Sequence, residues 1–278
     1  MARGVATRLS RVEPVAVRAV GALALASLAA TVVLGLWFTP EDQVMGNLVR
    51  LLYVHPPVAW VAYLAFGVTA ACSIAYLWPR TRSPFWDRLG AASAEIGVVF
   101  CALTLATGSI WGRPTWGVWW TWDARLTTTA LLLALFAGYL AIRRVTVDPA
   151  ARAKRSAVVA LVAFADVPIV HMSVLWWRTL HQPPTVFRPG FGDPTLATPM
   201  AWTLLLAFCA FTLAYVWLLA HRYRVAVLEA RMEGEGLELA LAERRAEAGY
   251  GEGPGGIEGG AGSGGDGPGQ APVPVGAR

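Results

Sequence analysis

The sequence predicts an all-α, polytopic membrane protein with six transmembrane helices and a disordered, glycine-rich C-terminal tail. Hydrophobic residues make up 56 % of the 278 residues and charged residues only 15 %, and the mean hydropathy is +0.50. This composition is typical of polytopic membrane proteins. Several apolar stretches are each long enough to cross about 30 Å of hydrocarbon, and a glycine-rich segment follows the last of them.

The six predicted spans lie, in order, at residues 19–38, 57–78, 90–110, 126–142, 156–176 and 199–220. The first follows four arginines, as a secretory signal would, but its apolar core is too long for a signal and five more spans follow. The second begins at Pro56 and Pro57, and proline suits the first turn of a helix, where the N–H has no helical partner. We therefore expect six retained helices.

The basic residues are distributed unequally between the two sides of the membrane. Of the 23 lysines and arginines, 18 precede span one, lie in the loops after spans two and four, or follow span six. The positive-inside rule places that side, with both termini, in the cytoplasm. The sequence thus predicts a multi-pass membrane protein whose segments after spans one, three and five face outward.

The chain is expected to have three parts. Residues 1–224 form the membrane domain, and residues 225–250 form a charged, helix-prone cytoplasmic extension that Gly234 and Gly236 weaken near its start. Residues 251–278 are mostly Gly, Pro, Ser and Ala. Such a composition cannot bury enough apolar surface to offset the entropy of ordering, so this tail is predicted to be disordered.

The segment that joins spans three and four on the outer side is unusually rich in tryptophan. It reads WGRPTWGVWWTWDAR over residues 111–125, and it contains Trp111, Trp116, Trp119, Trp120, Trp122 and Asp123. An aromatic belt at the headgroup level explains one or two tryptophans per helix end, not five. Flat indole surfaces beside an acid and a base favour binding of a large, flat, anionic ligand, and heme is the obvious candidate.

Two of the four histidines are predicted at the same outer surface. His55 precedes span two, and His181 follows span five. Six-coordinate heme iron takes one axial ligand from each side of the ring, so His55 and His181 are the candidate iron ligands. The start of a helix also favours the neutral imidazole that coordinates iron. The alternative is that each is an interfacial histidine with ordinary hydrogen bonds.

Arginines on the outer side form a second group of candidates. Arg50, Arg113, Arg125 and Arg178 lie close in sequence to the two histidines or flank the tryptophans. A guanidinium pairs bidentately with a carboxylate, so these arginines are predicted to bind the heme propionates. Lipid phosphates or local acids are the alternative partners.

The remaining ionisable groups in the spans are weaker candidates. Asp166 and His171 lie in span five near Pro168, Glu95 lies in span three, and His221 ends span six. Intramembrane ionisable groups are functional candidates by default, but these can also satisfy one another or the backbone that the proline frees. Their roles stay open from the sequence.

Missing motifs exclude several functions. The sequence has no Cys-x-x-Cys pair and no Gly-x-x-x-x-Gly-Lys-[Ser/Thr] phosphate loop. The chain is therefore expected neither to attach heme through thiols nor to exchange disulfides, and any ATP-driven step belongs to a partner. Because no residue is placed as a nucleophile or general acid, we predict a binding and transfer subunit and not an enzyme.

The string GSIWGRPTWGVWWTWDARLT resembles the tryptophan-rich signature of heme-handling membrane proteins in cytochrome c biogenesis. Its ending WDARLT resembles the cytochrome c maturation protein C family, also called heme exporter protein C, whereas synthase-type relatives continue with Pro-Lys-Glu after the aspartate. The strings GNLVRLLYVHPP and VPIVHMSVLWWRTLHQ extend the resemblance over about residues 15–222. Asp166, where an uncharged residue is expected, and the glycine-rich tail depart from the pattern, away from the predicted site.

The resemblance implies a function and a set of partners. It implies that His55 and His181 are the axial ligands and that Trp111, Trp116, Trp122 and Asp123 are needed for heme interaction. Family members work with an ABC-type ATP-binding subunit, a second polytopic membrane subunit, a small single-span subunit and a periplasmic heme chaperone. We therefore expect this chain to bind heme b at the periplasmic face and to deliver it to that chaperone.

Two alternative functions stay open. A cytochrome c heme lyase is one, although such relatives are longer and carry additional spans and transmembrane histidines. A membrane b-type electron-transfer cytochrome is the other, and it needs paired histidines deep in the spans, where only His171 is placed.

Overall fold

The computed structural model describes residues 15–181 and 197–251, with side chains through residue 245. These residues are helical apart from short connections, and they contain six helical segments long and apolar enough to cross a membrane. The predicted all-α, six-span architecture is thus confirmed. The chain divides into two compact units, Met1–Glu229 and Ala230–Arg278. The predicted tail, from residue 252 onward, lies outside the described residues.

The described residues form seven α-helices. They are α1 (Val15–Val33), α2 (His55–Leu77), α3 (Pro84–Trp116), α4 (Ala124–Val145), α5 (Pro149–Phe164), α6 (Asp166–Trp176) and α7 (Thr198–Gly251). A π-helical turn, Leu34–Phe38, extends α1, and a 3₁₀ helix, Asn47–Tyr53, precedes α2. The second span therefore begins earlier than predicted, and His55 is the first residue of α2.

The fifth span consists of two helices, α5 and α6. The break follows Phe164, which lies four residues before Pro168. A proline ring clashes with the carbonyl four residues earlier and cannot donate to it, so the α-helical ladder ends there. Asp166 begins α6 and is only 5 % exposed. His181 follows five residues after the end of α6 at Trp176.

The tryptophan-rich segment is not a loop throughout, so the prediction of a loop over residues 111–125 is wrong at both ends. Helix α3 continues to Trp116, with Pro114 in its last turn. Gly117 then ends the helix in the left-handed region, at φ 77°, and its N–H donates to the Arg113 carbonyl at 3.0 Å, a common helix termination. Trp111 and Trp116 therefore occupy fixed positions on a helix.

Helix α2 lies at the centre of the bundle and packs mainly against α3, with further contacts to α5. The Phe66 ring stacks on Phe136 of α4 with centroids 3.7 Å apart. A Cβ at Gly97 would lie 2.5 Å from the Phe66 ring, so glycine permits the close approach of α2 and α3. This packing fixes the two helices that carry most of the candidate site.

Ion pairs lie at the opposite end of the bundle from His55. Arg143 at the end of α4 binds Asp87 in the first turn of α3 through two hydrogen bonds, of 2.5 and 2.9 Å. Arg222 of α7 pairs with Glu95 of α3, with one N–H···O distance of 2.9 Å. Glu95, whose role the sequence left open, thus has a structural partner.

Candidate functional site

A cavity of about 760 Å³ lies among the described residues at the end of the bundle where α2 begins and α3 ends. Such a volume is ordinary for a small-molecule or cofactor site. The lining residues are Met45, Leu52, His55, Pro56, Ala59, Trp60, Tyr63, Gly108, Trp111, Gly112, Thr115, Trp116, Arg125, Phe164, Val167, Pro168, His171, Leu180, His181 and Phe208. This lining contains three histidines, one arginine and no carboxylate, and most of it is apolar or aromatic.

Helical spacing brings the two main walls together. On α2, His55, Ala59 and Tyr63 follow one another at intervals of four residues. On α3, Gly112 and Trp116 are likewise four residues apart. Residues at this spacing share one face of a helix. The helical continuation of α3 to Trp116 therefore places the first tryptophans of the motif in the cavity wall.

The hydrogen bonds of His55 define its tautomer. Its Nδ1 lies 3.0 Å from the Thr107 hydroxyl oxygen, and that hydroxyl donates to the Leu103 carbonyl at 2.8 Å. A threonine hydroxyl has one proton. Because Thr107 donates it to the backbone, the Nδ1–H of His55 donates to Thr107. This assignment leaves the lone pair of a neutral His55 on Nε2.

The space for the His55 imidazole depends on Gly108 of α3. A Cβ at Gly108 would lie 3.0 Å from Cε1 of the imidazole. On another side, the ring meets the Trp111 indole edge-on, with centroids 5.8 Å apart. His55 is thus positioned by the Thr107 hydroxyl, by the Thr104 backbone and by close packing against α3.

His181 is positioned by the aspartate of the tryptophan motif. Asp123 caps α4, because its Oδ1 accepts the Leu126 N–H at 2.8 Å. Its Oδ2 accepts the Leu180 N–H at 3.1 Å and lies 3.5 Å from His181 Nδ1, without hydrogen-bond geometry. The His181 ring packs edge-on against Trp116, with centroids 4.7 Å apart. The carboxylate thus faces Nδ1 and leaves Nε2 to other partners.

The charge state of His181 follows from its surroundings. Burial lowers the pKa of His181 below its ordinary value, and the positive charge of Arg125 lowers it further. Asp123 acts in the opposite direction and raises this pKa. Burial and Arg125 prevail, so His181 is neutral at pH 7, as a metal-binding imidazole must be.

Arg125 and Asp123 do not bind each other but have separate partners. Arg125 Nη2 donates to the His171 carbonyl at 3.0 Å. Its Nε is buried and finds no acceptor among the described residues. Because Arg125 lines the cavity, this N–H is available to an anionic ligand. The hydrogen bonds of Asp123 go instead to Leu126 and Leu180.

Several predicted site residues lie outside the cavity lining. They are Trp119, Trp120, Trp122, Asp123, Arg50, Arg113 and Arg178. Trp119 and Trp122 are 61 % and 78 % exposed. The Arg50 guanidinium donates to the Gly35 and Leu36 carbonyls. Arg113 donates to the Gly117 carbonyl at 2.6 Å. The backbone contacts of Arg50 and Arg113 shape the chain around the cavity.

The cavity also contains residues that sequence reasoning did not assign to it. Trp60 lines it and donates from Nε1 to the Thr212 hydroxyl at 3.0 Å, which links α2 to α7. Tyr63 packs edge-on against His171, with centroids 6.4 Å apart. Tyr63 could have been found from its spacing of eight residues from His55. No sequence signal indicates the contribution of Phe208 on α7.

Comparison with known proteins identifies the family. A family model described as heme exporter protein C matches residues 3–237. The chain belongs to the heme exporter protein C family. The match includes every residue that lines the cavity, and it confirms the family that the tryptophan motif predicted.

Individual members of the heme exporter protein C family are similar over most of their length. The protein of that name from Bradyrhizobium diazoefficiens is 39 % identical over 211 residues, which cover 73 % of this chain and 78 % of the relative. The Haemophilus influenzae protein is 37 % identical over 208 residues, 74 % of this chain and 82 % of the relative. A Marchantia polymorpha protein named "putative cytochrome c biosynthesis ccmC-like mitochondrial protein" is 33 % identical over 183 residues, 66 % and 75 % of the two chains.

Proposed function

We propose that this chain binds heme in the cavity between α2, α3 and α6 and takes part in heme export for cytochrome c maturation. The observation that carries the proposal is that His55 and His181 line one cavity, each with an acceptor facing its Nδ1. The names of its relatives, which refer to heme export and cytochrome c biosynthesis, support the same function.

The two histidines are suited to bind iron through Nε2. Metal-binding histidines usually donate their other ring N–H to a carboxylate or another acceptor, which fixes the tautomer and raises the basicity of the ligand. Thr107 serves His55 in this way, and Asp123 faces the corresponding nitrogen of His181. Heme is the cargo in this proposal, and His55 and His181 are its axial ligands.

The rest of the lining suits the porphyrin and its propionates. Trp111 and Trp116 provide apolar surface beside the two histidines. Two buried donors, the Nε–H of Arg125 and the Nε1–H of Trp111, have no acceptor among the described residues. A carboxylate is the natural acceptor for such donors, and a guanidinium binds it most strongly. We therefore assign one propionate to Arg125.

The charge pattern supports an outward orientation of the cavity. Arginines concentrate on the side of the bundle opposite the cavity, and the positive-inside rule assigns that side to the cytoplasm. The cavity then faces the periplasm of a bacterial inner membrane. We propose that heme b passes from here to a periplasmic chaperone and that an ABC-type ATP-binding subunit, a second polytopic subunit and a single-span subunit complete the complex.

A transport subunit fits this site better than the alternatives. The cavity lining contains no carboxylate or thiol, and the Asp123 carboxylate behind His181 accepts the Leu126 and Leu180 N–H groups. A b-type electron-transfer cytochrome needs paired histidines deep in the bundle, and the described residues place one there, His171. We accordingly propose that any ATP hydrolysis takes place in a partner.

The proposal is tested by the heme content of the purified full chain. We expect a stoichiometric b-type heme, identified by its pyridine hemochrome, with the absorption of a low-spin complex. His55→Ala and His181→Ala should each lower heme retention or change the low-spin absorption spectrum. His221→Ala, at the other end of the bundle, should change neither. Unaltered heme content and spectra in both cavity variants would overturn the assignment.

A further inference from the structure

The cavity extends well beyond His55 into the bundle. Tyr63 lines it eight residues further along α2, which corresponds to about 12 Å along a helix axis. The His171 ring of α6 lies edge-on to Tyr63 at this depth, and Pro168 of the same helix also lines the cavity. The cavity therefore has an outer region at His55 and His181 and an inner region at His171.

The His171 imidazole lies in the inner region of the cavity, apart from His55 and His181. Its ring lies edge-on to Tyr63, and no hydrogen bond links its imidazole to another described residue. His171 is partly buried and lines the cavity, so its imidazole is accessible to a ligand bound there. The His171 carbonyl accepts a hydrogen bond from Arg125 of α4, which fixes the backbone of α6 at this point.

We propose that His171 is a third iron-binding imidazole and that it forms an inner heme position in the same cavity. Histidine and tyrosine both serve as proximal ligands of heme iron in proteins, and here the His171 and Tyr63 rings are in contact. The heme iron is bound by His171 at the inner position and by His55 and His181 at the outer one. This inference rests on the proposed heme-binding function, and it adds a second position along the path of the cargo.

The test uses the full chain in lipid nanodiscs, titrated with hemin. The double variant His55→Ala/His181→Ala removes the outer ligands. It should still bind hemin, with a high-spin or otherwise changed spectrum. Adding His171→Gln to this double variant should weaken hemin binding at least about tenfold, a difference of roughly 1.4 kcal/mol. Equal affinity and equal spectra in the double and triple variants would overturn the proposal.

Two controls make the result specific to iron ligation. His171→Ala in the double variant should regain a ligated spectrum when free imidazole is added, since the truncated side chain leaves room for it. A misfolded variant would not regain a ligated spectrum with imidazole. A symmetric size-exclusion peak before the titration excludes misfolding. If imidazole changes nothing in a folded His171→Ala variant, His171 does not bind iron.

A single variant separates this proposal from the proposed function. In His171→Gln alone, heme at the outer position should stay low-spin, because His55 and His181 are both present, whereas the inner position should be lost. If the double variant His55→Ala/His181→Ala instead has wild-type affinity and spectrum, the outer site is wrong. The inner position then stands only if His171→Gln alone abolishes the iron ligation.

Discussion

Asp123 lies 3.5 Å from the Nδ1 of His181, a residue 58 positions later in the chain. The same carboxylate caps α4 and accepts the N–H of Leu180. One acidic side chain thus joins the tryptophan motif to the segment that presents His181. This contact gives a physical reason for an aspartate at the end of the motif, and it makes Asp123 a positioning residue for the iron ligand.

Asp123→Asn should weaken heme binding by about 10- to 100-fold, the usual effect of losing the carboxylate behind a metal-binding histidine. The asparagine oxygen can still cap α4, so thermal stability should change little. Hemin titration and thermal unfolding measure the two effects separately.

Asp148→Asn is the matched control for this change, since Asp148 caps α5 through the Ala151 N–H at 2.6 Å and does not line the cavity. It should leave heme affinity unchanged. Equal heme affinities of Asp123→Asn and the wild type would show that the carboxylate does not serve His181.

Thr107→Val removes the acceptor for His55 Nδ1–H while it preserves the shape of the side chain. We expect a loss of heme affinity of about tenfold or more, together with a shift of the Soret band. Thr104→Val is the control one turn away, because the Thr104 hydroxyl donates to the Phe100 carbonyl, at 2.8 Å, and makes no hydrogen bond with His55 among the described residues. If both variants behave alike in hemin titrations, the Thr107–His55 bond does not orient the ligand.

Gly108→Ala should displace the His55 imidazole, because the added Cβ would lie 3.0 Å from its Cε1. Loss of the low-spin heme signal is the expected result. Gly138→Ala on α4 is the control, since no atom lies within 4 Å of a Cβ there, and alanine favours a helix over glycine. A normal heme spectrum in Gly108→Ala would show that heme binding does not depend on the present position of the His55 imidazole.

The pH at which His181 titrates should respond in opposite directions to its two charged neighbours. Burial and Arg125 lower the pKa of His181, and Asp123 raises it. Arg125→Gln should therefore move the titration to higher pH, and Asp123→Asn should move it to lower pH. NMR of histidine-labelled, heme-free protein measures both. Shifts in the same direction would contradict the arrangement of these charges around His181.

This lowered pKa also predicts how acid affects the fold. His181 is neutral in the folded chain, whereas an unfolded histidine gains a proton below about pH 6.5. The unfolded state then binds more protons, so the stability that the neutral His181 contributes is present above that pH and decreases as the pH falls through the folded pKa. His181→Gln should reduce this dependence in thermal unfolding between about pH 7 and pH 5.

Much of the fold could be predicted from the sequence because the bilayer imposes a length and a composition on each span. The six spans and the family were predicted correctly. The end of α3 was not: span three was predicted to end at residue 110, whereas the helix continues through Gly112 and Pro114 to Trp116, residues that membrane helices tolerate. The break after Phe164 was not anticipated, although Pro168 indicated its position.

The candidate site was predicted in part. His55, His181, Trp111, Trp116 and Arg125 line one cavity, because helix order places the start of α2, the end of α3 and the end of α6 at the same end of the bundle. Arg50 binds the Gly35 carbonyl 15 residues earlier, a contact that depends on the tertiary structure. Arg113 binds the Gly117 carbonyl at the end of its own helix, whose position was not predicted. The depth of the cavity toward His171 likewise depends on helix packing.

Pulsed electron paramagnetic resonance of the ferric, heme-loaded full chain with ¹⁵N-labelled histidine tests the proposed ligation most directly. It detects the nitrogens bound to iron. We expect two histidine nitrogens in the wild type and one fewer in both His55→Ala and His181→Ala. A wild-type signal without two histidine ligands, or a signal that neither substitution changes, would contradict axial ligation by His55 and His181.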